Sequence, residues 1–443
     1  MEAVATPPKS FRSLSPTAPT ERIAILDSLR GIAILGILLM NMPAFGYPSF
    51  DPFLLNESAI DFNTWRFISL VPDGTQRALF SMLFGAGIIL FIRNSEKKSE
   101  GMRPADYFFR RQLWLLIFSL IDVFVLLWFG DILLDYALYG MLLFTFRNLP
   151  AKGLLICAGV CLLLMLAREN RDLYHEKNKI AKGEAAAALD TSVSKLSAAQ
   201  KEDLQYLMAF KEKSAVEKRR EHAQSDIRKI ASSNYEDLYE TQTQRYINVL
   251  VRYLYFELWD VLLFMFLGMA FFKMGILTGN APPKIYWWML IVGLGLGCYL
   301  SYLFWQPFIQ YQFNRFEYVK NVSFNYYQLQ RALRSIGIFG GIMLLHRSGV
   351  FKWFFEMLKP VGRMAFTNYL GQSLICALIF TSLGFAMYGK LERHELYYVV
   401  AAIWIFQIIF SNIWLKYFRF GPLEWAWRSL TYWQIQPMTK KST

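Results

Sequence analysis

The sequence predicts an all-α protein: a polytopic membrane bundle of about ten transmembrane helices with an extracytoplasmic helical insertion. Three observations predict it. Of 443 residues only 18% are charged and 55% are hydrophobic, whereas soluble domains carry roughly a quarter charged residues. Ten apolar segments approach the about 20 residues that a helix needs to cross a hydrocarbon core of roughly 30 Å. Lys and Arg gather in alternate connections between these segments, the pattern of cytoplasmic loops.

Residues 1–20 are rich in Pro, Ser and Thr and hold no apolar run, which reads as a disordered cytoplasmic tail and not as a cleaved signal peptide. An N-terminal membrane bundle, 21–167, contains apolar segments at about 25–46, 76–92, 109–129, 131–147 and 151–167. A C-terminal bundle, 246–443, contains those at about 251–276, 285–306, 331–347, 364–384 and 397–417 and ends in an amphipathic tail. Thr64 to Val71 is too short to span and runs into Pro72, Asp73 and Gly74, so it is expected to lie at the interface or to re-enter. Between the bundles, 168–245 is highly charged with nearly balanced signs. It is expected outside the membrane on the non-cytoplasmic side, because long loops translocate largely regardless of charge. Ser197 and Gln200 form a capping-box pattern, and Lys201 to Ala231 lacks Gly and Pro. One long helix is predicted there, in a helical hairpin packed on the outer face.

The balance of 47 Lys and Arg against 34 Asp and Glu gives a net charge of +13. The basic residues flank apolar segments, as with Arg110, Arg111, Arg347, Lys352, Lys359 and Arg363, so the charge reads as the positive-inside bias and nucleic acid is not an expected partner. Cys157, Cys161, Cys298 and Cys376 all lie in apolar runs and read as packing residues. No phosphate-binding loop, dinucleotide glycine fingerprint, nucleophile elbow or His-Cys metal spacing is present. His175, His222, His346 and His394 all avoid segment centres, which excludes a bis-His haem in the bilayer; neither a metal nor a haem is expected.

Ionisable groups in the membrane are costly and therefore candidates for function. Asp122, Asp131 and Asp135 flank the turn at Phe129 and Gly130. At 1.5 Å per residue Asp122 and Asp135 differ in depth by roughly 3 Å, and Asp131 and Asp135 are four apart, on one helical face. Three carboxylates that converge cannot all ionise, so at least one is expected to be protonated and to serve as a general acid or base. The rival reading makes them counter-ions of Arg77 or Arg334. At the cytoplasmic ends, Asp27 and Arg30 on the first segment, Arg363, Asn368 and Gln372 on the ninth, and Arg428 with Glu424 in the tail form a second cluster. Its guanidinium groups suit a phosphate-rich ligand or, equally, anionic lipid headgroups.

Several stretches resemble the YeiB family of bacterial inner-membrane proteins. They are Asp27-Ser28-Leu29-Arg30-Gly31 leading through Gly36 to Asn41, Arg77 with Phe80, Phe84, Gly85 and Gly87, Trp128 to Asp131, Gly362-Arg363 with Thr367-Asn368-Tyr369 and Gln372-Ser373, and Phe420-Gly421-Pro422 with Glu424, Trp427 and Arg428. The first of these is also similar to the opening of heparan-alpha-glucosaminide N-acetyltransferase. By that analogy the resemblance implies a transmembrane acyltransferase moving an acyl group from cytosolic acyl-CoA to an extracytoplasmic glycan or lipid acceptor. Asp27, Arg30, Arg363, Asn368, Gln372 and Arg428 would bind the donor, Asn41 would position the thioester, and Asp122, Asp131 or Asp135 would deprotonate the acceptor. The acetyltransferase relatives use a histidine in the outer loop after the first helix; Ala44 to Asn63 has none, and Asp122 stands where YeiB-like sequences often carry a histidine.

The resemblance implies a multi-pass protein of the bacterial inner membrane, with membrane lipids, acyl-CoA and the acceptor as partners and room for a homo-oligomer. A proton-coupled transporter or lipid flippase, coupled through the same carboxylates, is the alternative. The Lys and Arg asymmetry places both termini in the cytoplasm. Reporters fused at Lys98, Gln200 and Thr443 are therefore expected to read inside, outside and inside, and an inside signal at Gln200 would overturn this topology.

Overall fold

The computed structural model describes residues 23–49, 51, 52, 54, 58–98, 102–189, 195–232 and 234–440, and of 252–257 the backbone alone. The expected N-terminal tail, 1–20, lies outside the described residues. The fold is an all-α membrane bundle with no strand among the described residues; Phe418 and Thr439 form an isolated antiparallel bridge. The helices are α1 (Ala24–Gly46), α2 (Ala59–Leu70), α3 (Thr75–Lys98), α4 (Arg103–Phe124), α5 (Leu133–Leu143), α6 (Ala151–Ala187), α7 (Ala198–Ser214), α8 (Val216–Ser232) and α9 (Tyr235–Lys273). There follow α10 (Pro283–Trp288), a π-helical turn (Met289–Leu294), α11 (Gly295–Gln310), α12 (Arg315–Asn321), α13 (Tyr327–Ser348), α14 (Lys352–Arg363), α15 (Ala365–Phe380), α16 (Arg393–Tyr417) and α17 (Pro422–Tyr432).

Each of the ten apolar segments is mostly helical, although 125–129 and 381–384 are not. Ala24–Gly46, Ala59–Lys97, Ala151–Ala187, Pro283–Gln310 and Arg393–Tyr417 are long and apolar enough to cross a membrane; Leu133–Phe146 and Ala365–Phe380 are shorter apolar helices. Thr64 to Leu70 falls within the twelve-residue α2, which starts at a capping box formed by Ser58 and Asp61 and ends at Val71 as its C-cap. The single helix expected over Lys201 to Ala231 is broken: Ala215 is extended, with φ −65° and ψ 141°, and separates α7 from α8. The insertion is larger than a hairpin, because α6 and α9, 37 and 39 residues long and so about 56 and 58 Å at 1.5 Å per residue, both run on into it. It is seated on the bundle by Arg219, which pairs with Asp51 and donates to Gln312 O at 3.2 Å, and by Arg220, which donates to Leu54 O at 2.9 Å.

Small residues let the helices touch backbone to backbone, the usual means of helix packing in lipid. A methyl at Gly268 would overlap the Met82 carbonyl and one at Gly85 the Met265 carbonyl, so α3 and α9 cross in contact. Gly31 and Gly362 do the same for α1 and α14, against Leu358 O and Asp27 O. That crossing sets Arg363 beside Asp27 and Arg30.

Buried charges tie the bundle together at the level where α3 begins. Arg77 donates to Asp260 Oδ2 at 2.5 Å, and Arg331 pairs with the other oxygen of the same carboxylate. Arg334, fully buried, donates to Ser69 O at 2.9 Å and Val71 O at 3.3 Å and lies 3.7 Å from Asp73, which also accepts from Tyr327 Oη at 2.9 Å. Breaking one partner of a buried pair strands the other. Asp260→Asn is therefore expected to destabilise the protein by about 3–5 kcal/mol, measured by thermal or denaturant unfolding in detergent; a change below about 1 kcal/mol would mean that the network is not what holds α3, α9 and α13 in register.

Candidate functional site

Alternate helix direction brings the first turn of α1, the last turns of α3, the start of α4, the junction of α14 with α15, and α17 to one end of the bundle, where arginines crowd together. A cavity of about 250 Å³ opens there. Asp27, Arg30, Arg111, Arg363, Arg419 and Arg428 line its mouth with Trp427 and Tyr432; Phe80, Phe84, Leu115, Ile132, Tyr136 and Tyr369 line its depth. Its lining on α3 runs from Asn94 to Phe80, fourteen residues and so about 21 Å of helix. The cavity is thus cationic at one end and apolar along its length.

The mouth is rigid for local reasons. Arg30 donates to Asp27 Oδ1 at 2.7 Å, one turn away on α1. The Arg111 guanidinium stacks 4.1 Å from the Trp427 ring, whose indole N–H donates to Arg111 O at 2.9 Å, a cation–π arrangement. Arg111 also lies within electrostatic reach of Arg30 and Arg428. The α17 helix starts at Pro422, favoured in a first turn where no N–H is needed. From it Glu424 reaches the start of α15, accepting from the N–H of Phe366 at 2.8 Å, the N–H of Thr367 at 3.0 Å and Thr367 Oγ1 at 2.6 Å. Glu424 thus caps a helix to which it does not belong. Burial raises its carboxyl above the ordinary glutamate range, and the bonds from Thr367 and Phe366 oppose the rise.

At the deep end the acidic residues meet the tyrosines. Tyr369 Oη accepts from Ile132 N–H at 3.1 Å and donates to Asp131 Oδ1 at 3.2 Å. Asp131 Oδ2 accepts from Ser119 Oγ and from the N–H groups of Leu133 at 3.1 Å and Leu134 at 3.2 Å. Asp122, fully buried, lies within electrostatic reach of the Asp131 carboxyl and near the Ser373 hydroxyl, with no hydrogen-bond partner among the described residues on either of its oxygens. Tyr136 Oη lies 2.8 Å from Ser81 Oγ and bonds Arg77 O at 3.4 Å, joining the cavity floor to the buried ion network.

Measured against the expected site, Asp27, Arg30, Arg363 and Arg428 line one cavity, and Asp122 and Asp131 meet just behind its floor. Asp131 is not on a helical face with Asp135: it precedes α5 and caps it, because the reversal is wider than Phe129-Gly130 and takes in 125–132, with Leu127 at φ 59°. Asp135 lies beside Tyr139, within electrostatic reach of both Arg77 and Asp131. Of the counter-ions considered, Arg77 is bonded to Asp260 and Arg334 to the α2–α3 turn. Asn368 and Gln372 do not line the cavity. Asn368 Nδ2 donates to Val361 O and Ser411 Oγ, both at 3.1 Å, and Gln372 Nε2 to Ile34 O at 3.2 Å and Gln407 Oε1 at 3.0 Å, so both stitch α15 to its neighbours. Asn41, half-buried on α1, is also absent from the lining. Arg111, Arg419, Tyr136 and Tyr369 belong to the site without having been expected in it; the placement of Arg111 beside Arg110, just ahead of an apolar run, is the one signal that could have pointed to it.

Fold and cavity together define a polytopic α-helical membrane protein with an internal chamber open at its basic end. Residues 271–434 match the family described as "Protein of unknown function (DUF418)". Nearly the whole chain is similar to "Uncharacterized protein YxaH" of Bacillus subtilis (strain 168), at 29% identity over 460 residues, 97% of this chain and 99% of that one. It is equally similar to "Uncharacterized protein YeiB" of Escherichia coli (strain K12), at 29% identity over 452 residues, 96% of this chain and all of that one. The chain is thus similar to YxaH and YeiB along nearly its whole length, with the DUF418 match confined to residues 271–434. No solved structure matches it.

Removing the borrowed cap would leave two N–H groups of α15 without their acceptor. Glu424→Ala is expected to cost roughly 1–3 kcal/mol and to loosen the mouth, read as faster hydrogen exchange at 365–368; unchanged exchange there would show that α15 does not need this cap.

Proposed function

We propose that the protein is a bacterial inner-membrane acyltransferase that takes an acyl group from cytosolic acyl-CoA and gives it to an extracytoplasmic glycan or lipid. The observation that carries this reading is the polarity of the cavity, guanidinium groups at its mouth and an apolar bore ending at Tyr369, which donates to Asp131. A thioester donor has the complementary polarity: phosphates and adenine at one end, a narrow arm and acyl chain at the other. Arg30, Arg111, Arg363 and Arg428 would hold the phosphates, Trp427 and Tyr432 offer aromatic faces to the base, and the bore would seat the arm.

In the transfer the acceptor oxygen or nitrogen attacks the thioester carbonyl, the new C–O or C–N bond forms and the C–S bond breaks. The acceptor proton passes through Tyr369 Oη to Asp131 and the carboxyl it shares with Asp122, and a proton returns to the departing thiolate. Such a relay is general acid–base catalysis by a tuned pair. The alternative, a proton-coupled transporter or lipid flippase, draws support from the buried ion network beside the floor, since groups of that kind also couple protons to movement.

Gly87 lines the cavity, and a side chain there would meet open space. Gly87→Leu is therefore expected to leave folding intact and to abolish thermal stabilisation by acyl-CoA; Arg111→Ala should weaken that binding with a steep salt dependence. Equal stabilisation of wild type and both variants would remove donor binding from this cavity. Tyr369→Phe keeps the ring and removes the relay. It should retain donor binding and lower the rate of thioester turnover by about 10²-fold or more. Turnover at the wild-type rate would exclude the relay, and proteoliposomes that move label without cleaving thioester would favour the transporter.

A further inference from the structure

At the opposite end of the bundle, where α2 meets the first turn of α16, a second cluster is independent of the cavity. We propose that His394, Asp61 and Glu392 bind a divalent transition-metal ion of the zinc class. His394 Nδ1 lies 3.0 Å from Asp61 Oδ1 and 3.5 Å from Glu392 Oε2, and one ligand atom from each of the three residues fits within 4.8 Å of the others. Two ligand atoms each about 2.0–2.1 Å from zinc at a tetrahedral angle stand about 3.3 Å apart, so the two observed separations bracket that spacing. A cation there takes the place of the proton on Nδ1, which is released on binding.

The geometry is held from behind. The Asp61 side chain is 3% exposed; its Oδ2 accepts from Ser58 Oγ at 2.8 Å and Ser58 N–H at 3.2 Å, and its Oδ1 from the His394 N–H at 2.8 Å. Supporting bonds of this kind orient metal ligands. The Glu392 side chain is 61% exposed and that of His394 21%, which leaves remaining coordination positions to water. An imidazole in the set favours zinc and its neighbours over calcium or magnesium, which prefer oxygen alone. A bound ion offsets the charge of Asp61, Glu392 and the adjacent Glu395, and fastens α2 to α16. Sequence spacing hides the site because its ligands come from positions 333 apart.

The test uses the full chain, purified in detergent, stripped with a chelator, dialysed against zinc, manganese or calcium, gel-filtered and assayed for metal by mass spectrometry. Wild type is expected to retain about one zinc per chain, and cobalt in its place should give a visible d–d spectrum. His394→Ala and Asp61→Asn should lose both. Glu392→Gln, at an exposed position, preserves the fold and should weaken binding at least about tenfold. Zinc content that is the same in wild type and Glu392→Gln, calcium retained in preference to zinc, or no metal retained by wild type would each overturn the site.

Discussion

A guanidinium cannot shed its charge by losing a proton, so a bundle that buries Arg331 and Arg334 must bring acceptors to them, and this constraint organises the structure. Asp260 comes from α9, Asp73 and the carbonyls of Ser69 and Val71 from the turn between α2 and α3, and Arg77 enters from α3 to share Asp260. Once those bonds are made, α3, α9 and α13 have no freedom to slide past one another, and the floor of the cavity is placed as well. Tyr136 holds to Arg77 O and Ser81, so the chamber ends where the ion network begins.

The mouth depends on a different device. Gly31 and Gly362 allow α1 and α14 to approach until backbone meets backbone, which packs Arg363 close to Arg30 despite their like charge. Asp27 offsets part of the repulsion at 2.7 Å from Arg30, and the Trp427 face takes up Arg111. The remaining positive potential faces the opening, where an anionic headgroup or phosphate can meet it. The oxygens of Glu424, which also lines the cavity, are taken up as the cap of α15.

Much of this was legible from the sequence. All ten apolar segments are helical because a run of about 20 apolar residues has few other options in a bilayer, and Asp27, Arg30, Arg363 and Arg428 meet because helix ends on one side of a membrane are neighbours. The misreadings are of one kind. Asn368 and Gln372 share a helical face with each other, yet a face can point to a neighbouring helix as readily as to a chamber, and Ser411 and Gln407 decide which. Asp131 has the spacing of a helical residue but serves as a cap, because a carboxylate just ahead of a helix satisfies N–H groups that would otherwise be unpaired. Ala215 carries no breaking signal at all; its extended backbone follows from where α7 and α8 must dock.

The length of α9 has a mechanical consequence. One unbroken rod carries Arg245, paired with Asp226 of the insertion at 2.8 Å, Asp260 of the ion network, and Gly268, wedged against Met82. Because a helix resists bending far more than its contacts resist rotation, whatever leans on the insertion acts as torque on a lever whose fulcrum is the Gly268 crossing. Asp260 lies between that load and the fulcrum and is joined through Arg77 and Tyr136 to the cavity floor, so one rod couples the insertion to the chamber.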